Sequence, residues 1–363
     1  MIKNKPKAKK IDKGLFFLAV GLTLFGVLMV YNASVAESLR DFQDKYHYLK
    51  YQLLWGAIGL GLMIVVANIN YKFFRRLAPA LFFLNIILLL LVLIPGIGVE
   101  IKGARRWLDL GFFVLQPTEL IKLTLTLYLA AWLAKKRSFW HFLFILGLVS
   151  FLIILQPDLG TTVVVIASAF LIYYVSGASF MHLLPLALAG FLGGLVAILR
   201  SSYRRERLLT FLDPTKDPLG SSYHIRQVLI ALGSGGFFGL GLGQSRQKYE
   251  YLPEATTDSI FAIIAEEIGF VGGFVLIFAL FMVVYKGLII SKRAPDLFSQ
   301  LTAAGISLWI GLQTLINLAA MVALIPLTGL PLPFISYGGS SLVVVLTSMG
   351  ILLNISKYRV AKK

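Results

Sequence analysis

Of the 363 residues, 58% are hydrophobic and only 14% charged, with a net charge of +17; a mean hydropathy of +0.83 excludes a soluble globular domain. There is no cysteine and only four scattered histidines, so neither a disulfide framework nor a His/Cys metal site is indicated. The basic residues cluster at the ends of apolar stretches and form no recognisable nucleic-acid module, which argues against nucleic acid as a partner.

A helix needs about 20 apolar residues to cross the hydrocarbon core. Ten such segments follow in order: 15–35, 48–68, 77–95, 118–134, 139–156, 158–176, 182–200, 258–285, 299–325 and 334–356. The expectation is an all-α integral membrane protein: one domain over residues 1–363 with ten transmembrane helices. The basic tail 1–14 resembles the start of a signal peptide, but no small-residue cleavage site follows and the apolar run is too long, so a retained first helix is expected. Lys72, Arg75 and Arg76, then Lys135 to Arg137, then Lys286, Lys292 and Arg293 fall in connections on the same side as both tails. That bias puts the N and C termini in the cytoplasm, with Trp132 and Trp140 at a headgroup boundary. No convincing internal repeat is present, which weighs against transporters built from duplicated halves.

The first outer interruption is "QPTELIKL" (116–123), where Glu119 and Lys122 stand three apart at a helix start; they could form an internal ion pair or help line a cavity. "QPDLGTT" (156–162) is so tight a turn that Asp158 is expected at the membrane surface. The loop 201–257 between the seventh and eighth segments is too long for a mere connection. It opens with Arg200, Arg204, Arg205 and Arg207. On a continuing helix Arg204 and Arg207 would share a face, and guanidinium forks suit phosphate oxygens; anionic headgroups would attract the same arginines. The stretch "IRQVLIALGSGGFFGLGLGQSRQK", whose Gln227 is a further binding candidate, is apolar but too short and glycine-rich to cross. It is expected to form an interfacial or re-entrant helix ending near Gly233, then glycine turns that deliver Arg246 and Lys248. No Gly-Lys-Ser/Thr follows, so a nucleotide P-loop is not indicated.

Glu250, Glu254 and Asp258 are spaced by four, but Pro253 breaks any helix across that run. Asp258 therefore falls at the outer rim of the eighth segment, as an N-cap or as a functional acid. Glu266 and Glu267 lie two turns deeper. A charge at the bilayer centre costs about 2.5–3.5 kcal/mol, so they require partners, with Lys122 a candidate. "PLTGLPLPFISYGGSS" (326–341) breaks the backbone between the last two segments. Such irregular backbone is tolerated in lipid only when buried in protein or lining a cavity, so these elements are expected to converge on one extracytoplasmic pocket.

The order of "GARRWL", "QPTELIKL", "QPDLGT", "RRERLLTFLDPTKDPLGSSYHIRQ", "GLGLGQSRQKYEYLPEATTDSIFAIIAEEIGF" and "PLTGLPLPFISYGGSS" resembles the SEDS family, membrane glycosyltransferases that polymerise bacterial peptidoglycan. The wording is closer to its division branch, FtsW, than to its elongation branch, RodA; a sporulation homologue would read much alike. Two motifs depart from the family's usual wording: "HTDF" is "TTDS" here, with Thr256 and Ser259 beside Asp258, and Thr118 replaces Ser in "QPSEL".

The resemblance implies lipid II and a lipid-linked glycan strand as substrates, and Asp258 as the catalytic acid. It also implies the bacterial inner membrane, a class B penicillin-binding protein (a single-pass transpeptidase) as partner, and other division or elongation proteins. In that setting Arg204, Arg207, Arg246, Lys248 and Gln227 would bind substrate, while Glu119, Lys122 and Asp158 would shape the cavity. No complete metal site is legible, although Asp258 could be one ligand of a divalent cation, Mg or Mn. A flippase for lipid-linked precursors is the rival reading, resting on Glu266 and Glu267 as ion-coupling groups; a silent scaffold is the third.

Overall fold

The computed structural model describes residues 10–101, 103–111, 113–135, 138–178, 202–213, 222–249 and 251–360, with isolated positions between 181 and 199 and at 220; of residues 202–204 it describes the backbone. Its helices are α1 (Lys13–Phe42), α2 (His47–Asn68), α3 (Tyr71–Leu93), α4 (Pro117–Leu133), α5 (Phe139–Leu155), α6 (Leu159–Val175), α7 (Ser202–Leu212), α8 (Tyr223–Ser234), α9 (Ile260–Lys292), α10 (Leu297–Met321) and α11 (Gly339–Ser356). Six of them, α1, α2, α3, α9, α10 and α11, are long and apolar enough to cross a membrane, and α5 and α6 are shorter apolar helices. The predicted seventh segment, 182–200, lies largely outside the described residues.

Helix starts follow from local chemistry. Asp12, Asn70, Ser138 and Asp158 each accept a backbone N–H at the start of α1, α3, α5 and α6, and Asp296 with Ser299 forms a capping box on α10. Each cap satisfies a donor that the first turn would leave unpaired. Packing then sorts the helices. α11 lies along α2, α10 along α9 and α4 along α3. Within their membrane windows 78% of α11 and 61% of α10 are buried, against 28% for α2, α3 and α9. α10 and α11 are therefore the centre of the bundle, and the exposed Phe274, Phe278 and Phe281 of α9 belong to the lipid-facing side.

The all-α expectation needs one correction. Residues 98–115 form a three-stranded antiparallel sheet: β1 (Gly98–Ile101), β2 (Ala104–Asp109) and β3 (Val114–Leu115), in that order. Gly103 and Gly111, at φ 73° and 86°, make the left-handed turns between strands, and Asp109 Oδ1 accepts from Gly111 N–H at 2.8 Å. The strands are too short to carry a clear alternation of their own. From β2, Arg106 donates to the backbone carbonyls of Gln156 (3.0 Å) and Pro157 (2.7 Å), which ties the sheet to the α5–α6 turn. At the opposite end of the bundle Asp12 pairs with Arg359 at 3.1 Å and with Lys286 at 3.4 Å, so the first helix starts on the side where the last one ends.

Candidate active site

Asp258 lies just before α9, in a segment shaped by Pro253 and by Glu254, whose φ of 53° is unusual for a residue with a side chain. The Glu254 carbonyl accepts from Thr257 N–H and Ser259 N–H, both at 3.1 Å. Neighbouring elements hold the rest. Asn317 Nδ2 of α10 donates to the Asp258 and Leu330 carbonyls, at 2.8 Å each. Tyr337 N–H donates to Thr256 O at 2.9 Å, and the Ser336 hydroxyl donates to Thr257 O. The broken segment 326–338 is thus the clamp that fixes the acid, and the carbonyls of Leu327, Leu330 and Pro331 find side-chain donors in the protein, as irregular backbone at that depth requires.

The N-cap position of α9 is Ser259, with no side-chain cap bond. The Asp258 carboxyl therefore does not cap the helix. Its residue is 7% exposed, and the Thr257 hydroxyl sits between it (3.3 Å) and Glu254 Oε2 (2.9 Å). Burial, reinforced by the charge of Glu254, pushes the Asp258 carboxyl up to about 6, against the opposing pull of hydrogen bonding and of Arg207. Such an acid is ionised at neutral pH yet basic enough to take a proton.

Arg207 reaches this neighbourhood from α7, where its Nη1 donates to Leu327 O at 2.8 Å. It borders a cavity of about 220 Å³ together with Glu206, Phe211, His224, Pro326 and Leu327. His224 Nε2 is 2.7 Å from Ser259 Oγ, so the cavity wall is one residue removed from Asp258. The Arg204 side chain lies outside the described residues, as do Arg200 and Glu250. Arg246 is exposed and Gln227 half-buried on α8.

The remaining polar residues form two buried locks. Lys122 donates to Glu119 Oε1 at 2.7 Å and to Gln313 Oε1 at 2.6 Å, and it lies 5.2 Å from the centre of the Trp309 ring. Gln313 Nε2 then donates to Pro331 O at 2.7 Å. The ion pair that the Glu119–Lys122 spacing allowed is therefore present, and through Gln313 it grips the segment that clamps Asp258. Lys122 is not the partner of Glu266 or Glu267, contrary to expectation.

Those two acids hold the glycine turn. Glu266 accepts from the Ser245 hydroxyl and from Arg246 N–H (3.1 Å). Glu267 accepts from Gly243 N–H (2.9 Å), Ser245 N–H (3.2 Å), the Asn32 amide and Lys248 Nζ (3.0 Å). Lys248 also donates to Asn32 Oδ1 and Gly243 O, both at 2.7 Å. It is turned inward, away from the mouth where the sequence placed it, and its burial is compensated by the Glu267 carboxylate together with two further oxygen acceptors.

α8 ends at Ser234 and its glycine turn runs against a break in α9 at Gly269 (φ 68°, ψ −171°). Leu240 and Gly241 N–H donate to the Glu266 and Glu267 carbonyls at 3.0 Å, while Phe270 and Val271 N–H donate to Gly236 O (2.9 Å) and Phe237 O (3.1 Å). The turn replaces the helical bonds lost at the break. A Cβ on Gly239 would lie 2.1 Å from the Glu267 carbonyl oxygen, which explains the glycine density that the sequence left open. Asp158 accepts from Thr161 N–H (3.0 Å) and Thr161 Oγ1 (2.8 Å) as the cap of α6.

The residues that sequence reasoning missed are Asn317, Gln313, Ser336, Thr257 and His224. Gln313 and Asn317 carried a readable signal: two amides four apart in an apolar span, and polar groups at that depth demand partners. Among the described residues no group of three or more His, Asp or Glu side chains is placed to hold a metal ion.

Comparison with known proteins agrees with this architecture. The FtsW/RodA/SpoVE family model, described as cell cycle protein, matches residues 13–361. The stage V sporulation protein E of Bacillus subtilis (strain 168) is 42% identical over 360 residues, covering 96% of this chain and 98% of its own. A probable peptidoglycan glycosyltransferase FtsW of Trichlorobacter lovleyi is 39% identical over 364 residues, covering 98% and 96%. Among solved structures, a chain of a peptidoglycan synthase complex that coordinates polymerization and crosslinking superimposes with TM-score 0.78 at 31% identity, covering 95% of this chain and 97% of that one. The rod shape determining protein RodA of Thermus thermophilus gives 0.71 at 29% identity, covering 97% and 98%. The motif order, the buried acid before α9 and these matches agree: the chain belongs to the FtsW/RodA/SpoVE family.

Proposed function

We propose that this chain is a peptidoglycan glycosyltransferase that polymerises lipid II at the outer face of the bacterial inner membrane, with ten transmembrane helices and both termini in the cytoplasm. The observation that carries the reading is Asp258: buried, raised to about 6, gripped at its backbone by α10 and facing the neighbourhood of Arg207. The acceptor's GlcNAc 4-hydroxyl attacks C1 of the donor's MurNAc. The new O4–C1 bond forms with inversion, the C1–phosphate oxygen bond breaks, and undecaprenyl pyrophosphate departs with the electron pair. Asp258 takes the hydroxyl proton, a contribution of about 10²–10⁴-fold for a positioned base. Arg207, with Arg204 one turn earlier on α7, offsets charge growing on the pyrophosphate.

Asp258 and Glu254 offer hard carboxylate oxygens on either side of one hydroxyl, a donor set that suits Mg or Mn with water completing the shell. Such a cation would neutralise phosphate charge when bound. Glu119, Lys122 and Asp158 act here as supports of the cavity walls, and Lys248 holds the glycine turn. The relatives' names favour the division and sporulation branch, and the likeness to a chain of a synthase complex supports a class B penicillin-binding protein as partner. Against the flippase alternative, the structural use of Glu266 and Glu267 in holding the glycine turn and Lys248 supports the enzymatic reading. Purified protein incubated in detergent with labelled lipid II tests the proposal. Glycan chains are expected; absence of polymer, with precursor movement across vesicles instead, would favour the carrier.

A further inference from the structure

Ser259 is fully buried and occupies the N-cap position of α9. A serine there ordinarily accepts a hydrogen bond from an N–H of the first helical turn. Here it makes no such bond. Its hydroxyl is turned instead to His224 Nε2 on α8, 2.7 Å away. The bond holds in either imidazole tautomer, since a hydroxyl both donates and accepts.

The chain around Asp258 is thus held from two directions. Asn317 of α10 fixes the carbonyl of Asp258, and His224 of α8 fixes the side chain of the next residue. His224 borders the same cavity as Arg207, so any displacement of α8 by a molecule in that cavity acts directly on the residue after the acid. We propose that His224, acting through Ser259, is a positioning residue that fixes the chain at Asp258 and couples occupation of the cavity to the geometry of that acid. The inference rests on the glycosyltransferase reading for its kinetic consequence, but the mechanical link does not depend on the identity of the substrate.

Two readouts test it on the full-length protein. Lipid II polymerisation is measured for H224A, S259A, the double variant and H224Q, whose amide keeps a hydrogen bond to the serine. The singles should lower kcat about 10-fold with KM within about 2-fold, as expected for a misplaced catalytic group. The double should be no worse than either single, because both remove one interaction, and H224Q should retain most of the activity. If H224A does not fold, S259A carries the test, since it removes only a hydroxyl. Independently of substrate, labelling of Asp258 by a hydrophobic carbodiimide, read by mass spectrometry, should change at least about 3-fold in S259A and revert towards wild type in H224Q relative to H224A. Unchanged kcat and unchanged labelling in both singles, or losses that multiply in the double, would overturn the coupling. A wild-type protein that labels as described but makes no glycan would overturn the enzymatic reading alone.

Discussion

The side-chain amide of Asn317 donates to the backbone carbonyl of Asp258 and, at the same 2.8 Å, to that of Leu330. One residue about a turn from the C-terminal end of α10 therefore sets the distance between the acid and the broken segment before α11. Replacing it with Leu leaves two buried carbonyls without that donor, at roughly 1–3 kcal/mol each. N317L is expected to lower the thermal midpoint and to reduce polymerisation more steeply than stability alone explains. Unfolding curves and lipid II turnover on the same preparation check this.

Asp258 has an unusual effect on stability. Its folded-state pKa of about 6 lies above the ordinary 3.8, so between these values the folded state binds more protons than the unfolded one. Stability from this group is present below about pH 4 and lost as pH rises through 6. D258N, neutral throughout, should therefore be more stable than wild type at pH 7.5, by on the order of 3 kcal/mol as an upper figure, and inactive. Wild-type polymerisation should rise with pH through about 6 as the base ionises. Denaturation at pH 5 and 7.5 and a pH–rate profile measure both effects.

Glu267 and Lys248 form a buried ion pair with 0% and 6% side-chain exposure. Removing one partner strands the other charge, at about 3–5 kcal/mol. K248A should release the glycine turn, detected as faster hydrogen exchange at residues 236–245, while the double variant K248M/E267Q should recover much of the loss. Equal stability of K248A and wild type would contradict the lock.

Gly269 sits at φ 68° and ψ −171°, a region that only glycine occupies readily, and other residues lose about 1–3 kcal/mol there. G269A is expected to destabilise the protein, and G239A likewise, because its Cβ would meet the Glu267 carbonyl. G147A, inside α5 where a Cβ meets nothing within 4 Å, is the control and should leave stability unchanged or raise it by up to about 1 kcal/mol.

Much of the helical architecture was legible because lipid favours it: apolar length located nine helices among the described residues to within a few residues at most boundaries, six of them long and apolar enough to cross a membrane. The place of Asp258 in the chain was legible as well, since Pro253 left it just ahead of a helix. The polar partners were legible only in part. The Glu119–Lys122 pair could be read from its spacing within α4, but the further partner Gln313 and the choice of Glu267 by Lys248 depend on which elements pack together. The sheet at 98–115 was hidden by strands of two to six residues, and the Gly269 break by a helix that reads as continuous in hydropathy.

The central claim is that the Asp258 carboxylate accepts the proton of an attacking sugar hydroxyl. Its most direct measurement is glycan synthesis from purified lipid II by D258A, alongside binding of the same lipid. Chain formation should vanish, with lipid binding and the thermal midpoint at or above wild type. Glycan made at the wild-type rate by a folded D258A would contradict it.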